Sequence, residues 1–440
     1  MQLWLYRLLL TLLFPLILYS GWKRCRKAQS KSQQNSDEVP IPHCFASRLG
    51  RNPTYFQKGG IWIHAVSVGE TRSIFPLLKQ LHLRYPQLPI TLTSGSTQGA
   101  QQALRFSPVA IQHQMIPYDT RSAVNRFLNQ IQPKLVIMIE TEIWPNLYQA
   151  CSERKIPLIL ANARIKQQSF KAYQKWGGQL VKRALNQTHL IASQFQADTD
   201  HLLALGADPK RIKQLGNLKF DIEIPANLTQ NAQAWRMDNG LEDRFIWVAA
   251  STHADEEVLM VKAHEKLLHH CANALLILAP RHSDRFQEVA ELLEQKTDLL
   301  SAIRSQQMPV TANTQVYLAD TIGELMHWFA CSDVAFIGGS LVPFGGHNIL
   351  EPAALAKPIL SGPYHMNLQA LYDTFKQTDS ITITQNTDEL AETLIKLSQS
   401  NELQQQQGQK AYQCFQQQTG ALSKLLSEID QLSLTDPNHL

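Results

Sequence analysis

At 440 residues, with 44% apolar and 18% charged side chains, the chain exceeds what one hydrophobic core organises and has the composition of a globular protein of two lobes. A formal net charge of +4 over that length is too small to imply nucleic-acid binding. Cys25, Cys44, Cys151, Cys271, Cys331 and Cys414 are scattered without a C-x-x-C pair, which argues against a zinc ribbon or a redox dithiol and for a reducing compartment.

Residues 3–22 are dominated by Leu, Ile, Phe, Tyr and Trp, with Arg7 the one charge, and match the roughly 20 residues a bilayer core requires. No small-x-small cleavage pattern follows, and Trp4, Tyr6, Tyr19 and Trp22 fall near the ends of the stretch, so residues 1–22 read as a retained membrane-anchor helix. Lys23, Arg24, Arg26, Lys27 and Lys31 then place the body on the cytoplasmic side of the membrane. Arg7 and Pro15 interrupt the apolar run, so the helix either spans the bilayer or lies along its surface. Residues 23–44 form a basic, polar linker.

The body begins with an apolar run at 61–65, a polar turn, and helical spacing over 71–83, the signature of strand, turn and helix. The pattern recurs at 90–93, 135–139, 157–161 and 189–192. It pauses in a polar stretch, resumes at 245–250, and continues at 274–279, 315–318, 334–337 and 358–360. Strands alternating with helices imply parallel sheets covered on both faces. The reading is an amino-terminal lobe over 45–224, a carboxyl-terminal lobe over 225–425 and a polar tail over 426–440, with ligands outside the carboxyl ends of the strands, in a cleft.

The chemistry-bearing residues lie in the turns after strands. Glu70, in the turn Val66 to Glu70, could accept a proton from an attacking hydroxyl; a capping role for it fits the local sequence at least as well. Glu140 and Glu142 form a second acidic turn, and two carboxylates there are costly unless wet, paired or working. Lys219 and Arg281 follow apolar runs and could hold phosphate oxygens. Gly338, Gly339, Ser340, Gly345 and Gly346 precede Asn348 and Glu351, a glycine-rich turn opening into a helix, which is how backbone N–H groups present themselves to a phosphate. Glu351 could accept hydrogen bonds from ribose hydroxyls. His264 and His269 miss the H-E-x-x-H spacing, Asp198 and Asp200 lie on a helical period, and neither a P-loop nor a G-x-S-x-G elbow occurs.

These blocks resemble the 3-deoxy-D-manno-octulosonate (Kdo) transferases of lipopolysaccharide assembly. The resemblance is carried, in order, by the turn ending at Glu70, the acidic turn from Glu140 to Asn146, the stretch from Gly216 to Asp221, Arg281 with its flanking Pro280 and His282, and the glycine-rich run through Glu351. It implies a GT-B fold, two Rossmann-like doubly wound lobes facing a cleft, with CMP-Kdo as donor and a lipid A precursor (lipid IVA) at the inner membrane as acceptor. It also implies inversion at the sugar and a reaction with neither metal nor cofactor. Carried to matching positions, Glu70 is the catalytic base; Lys219, Arg281, Gly339, Ser340, Asn348 and Glu351 bind the donor nucleotide and phosphate; Glu140 and Glu142 shape the acceptor side. Within Asn162 to Lys166, where the family reads Asn-Ala-Arg-Leu-Ser, the chain departs at Ile165 and Lys166. The residues alone also admit a GT-B transferase using a UDP-sugar, or a membrane-tethered nucleotide-binding protein without turnover.

Overall fold

A computed structural model describes residues 2–34, 38–222 and 224–434. The chain folds as two compact units: the first runs to Asp221 and takes up the chain again from Thr419, and the second is Ile222–Gln418.

The first unit is built on a parallel sheet of β1 (Ile61–Ala65), β2 (Ile90–Ser94), β3 (Gln112–Met115), β4 (Leu135–Ile139), β5 (Leu158–Ala163), β6 (Leu190–Ser193) and β7 (Ile212–Gln214). Its order is β3-β2-β1-β4-β5-β6-β7, so the winding reverses between β1 and β4. Alternate residues of each strand feed two cores. Ile61, Ile63, Leu135, Ile137 and Ile139 pack into one, and Trp62, Val136 and Met138 into the other. Burial on both faces is why the central strands are rich in apolar residues.

The chain's return completes the first of those cores. Helix Ala421–Asp430 buries Ala421, Leu425, Leu426 and Ile429, a helical stripe, against the β1 and β4 side chains. Asp221 fixes its start, its two oxygens accepting the N–H groups of Gly420 and Leu422 at 2.6 Å each. The polar tail expected over 426–440 is therefore, through residue 434, part of the first unit, because residues spaced three and four apart line one buried face.

Helix Leu3–Gln34 is continuous and runs through much of the expected linker. It is long and apolar enough to cross a membrane. It nevertheless packs lengthwise on the first unit. The Tyr6 hydroxyl donates to Asp119 at 2.8 Å and Arg7 Nε to Asn146 Oδ1 at 2.7 Å. At Gly21 a Cβ would come within 1.7 Å of the Tyr118 hydroxyl, so the approach there requires glycine. Cys25 is joined by a disulfide to Cys44, on the short helix Cys44–Arg48. Positions 6 and 25 are about 28 Å apart on a helix, so the helix follows the body rather than leaving it, with Trp4, Leu8, Leu12, Leu16 and Tyr19 on its exposed side. The disulfide runs against the reducing compartment read from the scattered cysteines: the fold brings Cys25 beside Cys44, a proximity that spacing alone does not report.

The second unit repeats the architecture with β8 (Ile246–Thr252), β9 (Leu275–Pro280), β10 (Ser301–Ile303), β11 (Val316–Leu318), β12 (Val334–Ile337), β13 (Ile359–Ser361) and β14 (Thr382–Ile383). The order β10-β11-β9-β8-β12-β13-β14 is again parallel and reverses between β8 and β12. Trp247, Leu276, Val316 and Phe336 centre its core. Open parallel sheets bind ligands outside the strand carboxyl ends at such reversals.

Candidate active site

In the first unit the reversal brings together the ends of β1 and β4. Beyond β1 the chain turns at Ser67 into helix Val68–Ser73. Ser67 Oγ accepts the Glu70 N–H at 3.3 Å, while the Glu70 carboxylate accepts the Ser67 hydroxyl and the Val66 N–H at 2.7 Å each. This is a helix-start cap closed through Val66 and Ser67, the structural role weighed for Glu70. It leaves a lone pair on each carboxylate oxygen and holds the side chain in one rotamer, so capping and proton acceptance are compatible.

Beyond β4, Glu140 adopts a left-handed backbone with φ 63°, an uncommon conformation for a residue with a Cβ and one that clusters at functional sites. Its carboxylate meets Lys219 Nζ at 2.7 Å. Lys219 stands on a turn held by Asn162, whose Oδ1 accepts the Leu218 N–H at 3.0 Å. The Lys166 departure lies beyond that contact.

Glu142 accepts the Trp144 indole N–H at 2.6 Å and faces His64 Nε2 at 3.9 Å. His64 Nδ1 is 3.0 Å from the Thr93 carbonyl oxygen, which can only accept, so Nδ1 carries the proton and the unpartnered Nε2 offers a lone pair. Full burial holds His64 down to about 3 and therefore neutral. Burial, then the nearby Glu70 and Glu140, push Glu142 up to about 7 against the Trp144 hydrogen bond. The structure thus joins Glu70, Glu140, Glu142 and Lys219 in one cluster. It places Lys219 in the first unit beside the acidic turn, where sequence reasoning had grouped it with the donor-side cations.

The acidic turn is also wired to the amino-terminal helix. Asp119 accepts the Asn146 and Leu147 N–H groups at 3.0 and 2.8 Å as well as the Tyr6 hydroxyl. Burial raises its pKa to about 6 despite those donors.

In the second unit the reversal joins the ends of β8 and β12. The glycine-rich loop already holds an internal anion. Glu256, wholly buried at the start of helix Glu256–Leu268, accepts the N–H groups of Gly339, Ser340 and Leu341 at 2.6, 3.1 and 2.9 Å. Ser340 Oγ donates to the Ile337 carbonyl at 2.5 Å and accepts the Gly362 N–H at 2.8 Å. The expected grip of Gly339 and Ser340 on a phosphate is corrected accordingly: the donors of that loop are taken by Glu256, and the pair shapes the loop from within. The helix expected at Asn348 begins at Leu350 and ends at Ala354, too short to act as an anion site, and Asn348 caps it through a 3.2 Å bond from the Leu350 N–H.

Around this loop Arg281, His282 and Asn348 are exposed, Glu351 and His347 are half-buried, and His253 is buried. Arg281 leaves the end of β9 exposed, its backbone N–H fixed to the Thr252 carbonyl at 3.0 Å. Burial raises the Glu351 pKa and Arg281 opposes it. His253 and His347 stack with Nε2 atoms 2.7 Å apart, and Phe344 covers the His253 ring. Burial, reinforced by neighbouring cations, lowers both, His347 to about 4, so the pair is neutral at pH 7 with one Nε2–H donating to the other ring. A Cβ at Gly339, φ 65°, would lie 3.0 Å from His347 Nε2, so glycine there makes room for these rings. Sequence reasoning missed Glu256; its signal was a carboxylate three residues after His253 at a helix start. Among the described residues no group of three or more His, Cys, Asp or Glu is placed to hold a metal ion.

Two doubly wound parallel units, each with polar chemistry at its reversal, define the GT-B class of α/β protein, and a solved structure shares the fold. The UDP-GlcNAc 2-epimerase of Neisseria meningitidis bound to UDP-GlcNAc superposes with TM-score 0.54 at 10% identity, covering 84% of this chain and 100% of that one. Residues 43–222 match the family model described as 3-Deoxy-D-manno-octulosonic-acid transferase (kdotransferase). Over 405 residues the chain is 36% identical to the 3-deoxy-D-manno-octulosonic acid transferase of Haemophilus influenzae, covering 88% of this chain and 94% of that protein. The Bordetella pertussis enzyme of the same name is 33% identical over 83% of this chain and 84% of its own. The chain belongs to the 3-deoxy-D-manno-octulosonic acid (Kdo) transferase family and is a glycosyltransferase of that activity.

Proposed function

We propose that the chain transfers Kdo from CMP-Kdo to a hydroxyl of a lipid A precursor at the cytoplasmic face of the inner membrane, with inversion and without a metal. The observation that carries this reading is the carboxylate cluster at the β1 and β4 ends, where Glu70 is held fixed with lone pairs to spare. Inversion needs one base to take the acceptor proton as the hydroxyl attacks, and Glu70 serves as that base. Glu140 and Glu142 line the acceptor side, and Lys219 balances their charge. In the second unit Arg281 meets the departing phosphate, while Asn348 and Glu351 take the cytidine ribose and base. Gly339 and Ser340 keep the loop between them in shape. The amino-terminal helix lies along the membrane surface with its apolar side immersed, since its other side is bound to the body.

Mass spectrometry of the product made by purified chain from CMP-Kdo and the lipid A precursor tests the reaction. A Kdo adduct absent with Glu70→Ala, while cytidine monophosphate still binds, supports it. Retained turnover removes Glu70 from the mechanism, and protection by uridine rather than cytidine nucleotides refutes the donor.

A further inference from the structure

Two adjoining hollows in the first unit are used by nothing above. One, of about 420 Å³, is lined by Arg24, Lys27 and Lys31 of the amino-terminal helix, by Arg48, and by the start of helix Thr97–Phe106. The other, of about 340 Å³, is apolar, lined by Leu13, Leu16, Ile17, Gly21 and Tyr118, and it shares Arg24 and Arg48 with the first.

Arg48 is the residue that asks for a ligand. It is 8% exposed, its Nη2 donates to the Gly95 carbonyl at 2.7 Å, and its guanidinium lies over the Tyr118 ring, yet its buried Nε has no partner. Among the described residues no carboxylate pairs with it, and none pairs with Arg24, Lys27 or Lys31. A buried, unneutralised guanidinium is unfavourable unless an anion joins it. Among the described residues Glu38 is the one acidic residue on the wall of the basic hollow. The helix that opens there has its Gly99 N–H capped by Ser96, and the remaining first-turn N–H groups add positive potential. Leu13 and Leu16, on the apolar wall, are also exposed to the outside, so that hollow opens on the side read as facing lipid.

We propose that the two hollows are one site for a phosphorylated lipid, its phosphate among Arg24, Lys27, Lys31 and Arg48 and its first acyl carbons beside Leu13, Leu16 and Ile17. The site rests on the reading that the chain works at a lipid surface, and not on the identity of the sugar donor. The lipid phosphate can be that of the acceptor or that of a membrane phospholipid.

The experiment compares two charge-matched variants of the full chain, K27Q/K31Q on the wall of the basic hollow and K23Q/R26Q on the same helix outside it. One arm measures the KM for the phosphorylated lipid A precursor and for its phosphatase-treated form; the other measures binding to phosphatidylcholine vesicles with and without phosphatidic acid. Loss of charge-assisted hydrogen bonds to phosphate predicts a change of about tenfold for K27Q/K31Q and less than about threefold for K23Q/R26Q. A change confined to the KM of the phosphorylated acceptor identifies the acceptor as the source, and a change in phosphatidic acid binding identifies the phospholipid. General attraction to an anionic surface depends little on which Lys or Arg is removed, so equal losses in the two variants, or none, overturn the site. R48Q, read in the same arms, must follow K27Q/K31Q. If the wild-type chain transfers no Kdo, the proposed reaction fails, while the vesicle arm still tests the site.

Discussion

Replacing Glu142 with Gln keeps the Trp144 hydrogen bond and removes the charge that its surroundings oppose. The carboxyl is ordinarily near 4.5 and sits here at about 7, chiefly through burial and then through Glu70 and Glu140. Below about pH 4.5 it is protonated in folded and unfolded chains alike, and it has no effect on stability. Between the two values the folded chain keeps a proton that the unfolded chain releases, so stability falls as pH rises, and above pH 7 the full penalty is present. The difference amounts to on the order of 3 kcal/mol. Contact with water over 25% of the side chain trims it to about 2 kcal/mol. Urea unfolding of parent and Glu142→Gln should therefore show the variant more stable by about 2 kcal/mol at pH 8 and by about 0.5 kcal/mol at pH 5. An equal difference at both pH values, or a parent more stable at pH 8, would refute the reasoning. The limb of the rate profile near pH 7 should vanish in the same variant.

Glu70→Gln should lower kcat by about 10² to 10⁴ if the carboxylate is the base, whereas a purely capping role would cost stability of about 1 kcal/mol and leave turnover near normal; single-turnover kinetics beside thermal unfolding separate the two. Glu256→Ala should release the glycine-rich loop, lowering the stability of the second unit by about 3 kcal/mol or more, seen as faster amide exchange at residues 338–341. Arg281→Ala should weaken cytidine monophosphate binding about tenfold in calorimetry without moving the unfolding midpoint, because its side chain is exposed. Reducing the Cys25–Cys44 bond, which spans 19 residues, should lower unfolding stability by about 3 kcal/mol in a chain-entropy view, measurable with and without reductant.

The strands legible in the sequence are those buried on both faces, since there most positions are apolar, with buried exceptions such as His64, Thr91 and Thr93. The strands missed, Gln112–Met115, Ile212–Gln214, Ser301–Ile303 and Thr382–Ile383, are the edges of the two sheets. An edge strand is short and partly wet, so Gln112, His113 and Gln114 carry no apolar period. The same contrast runs through the site. Glu140 was legible because it follows an apolar run directly, and Glu70 because it closes the short turn after one. The hold of Glu256 on Gly339 links residues 83 apart in sequence, and the pairing of Lys219 with Glu140 links residues 79 apart; both exist only after the sheets form. Helix Ala421–Asp430 did carry its period, but its glutamine-rich neighbours hid the four buried positions.

Helix Ala421–Asp430 also orders events during synthesis. The second unit is an uninterrupted stretch of chain and is complete in sequence before the last helix is made. The first unit, though it emerges earlier, keeps part of one side of its sheet, beside Leu77, Leu78 and Leu81, uncovered until the last helix is made. Shortened chains ending near residue 418 would leave that apolar face bare and prone to aggregate, however intact every catalytic position remained.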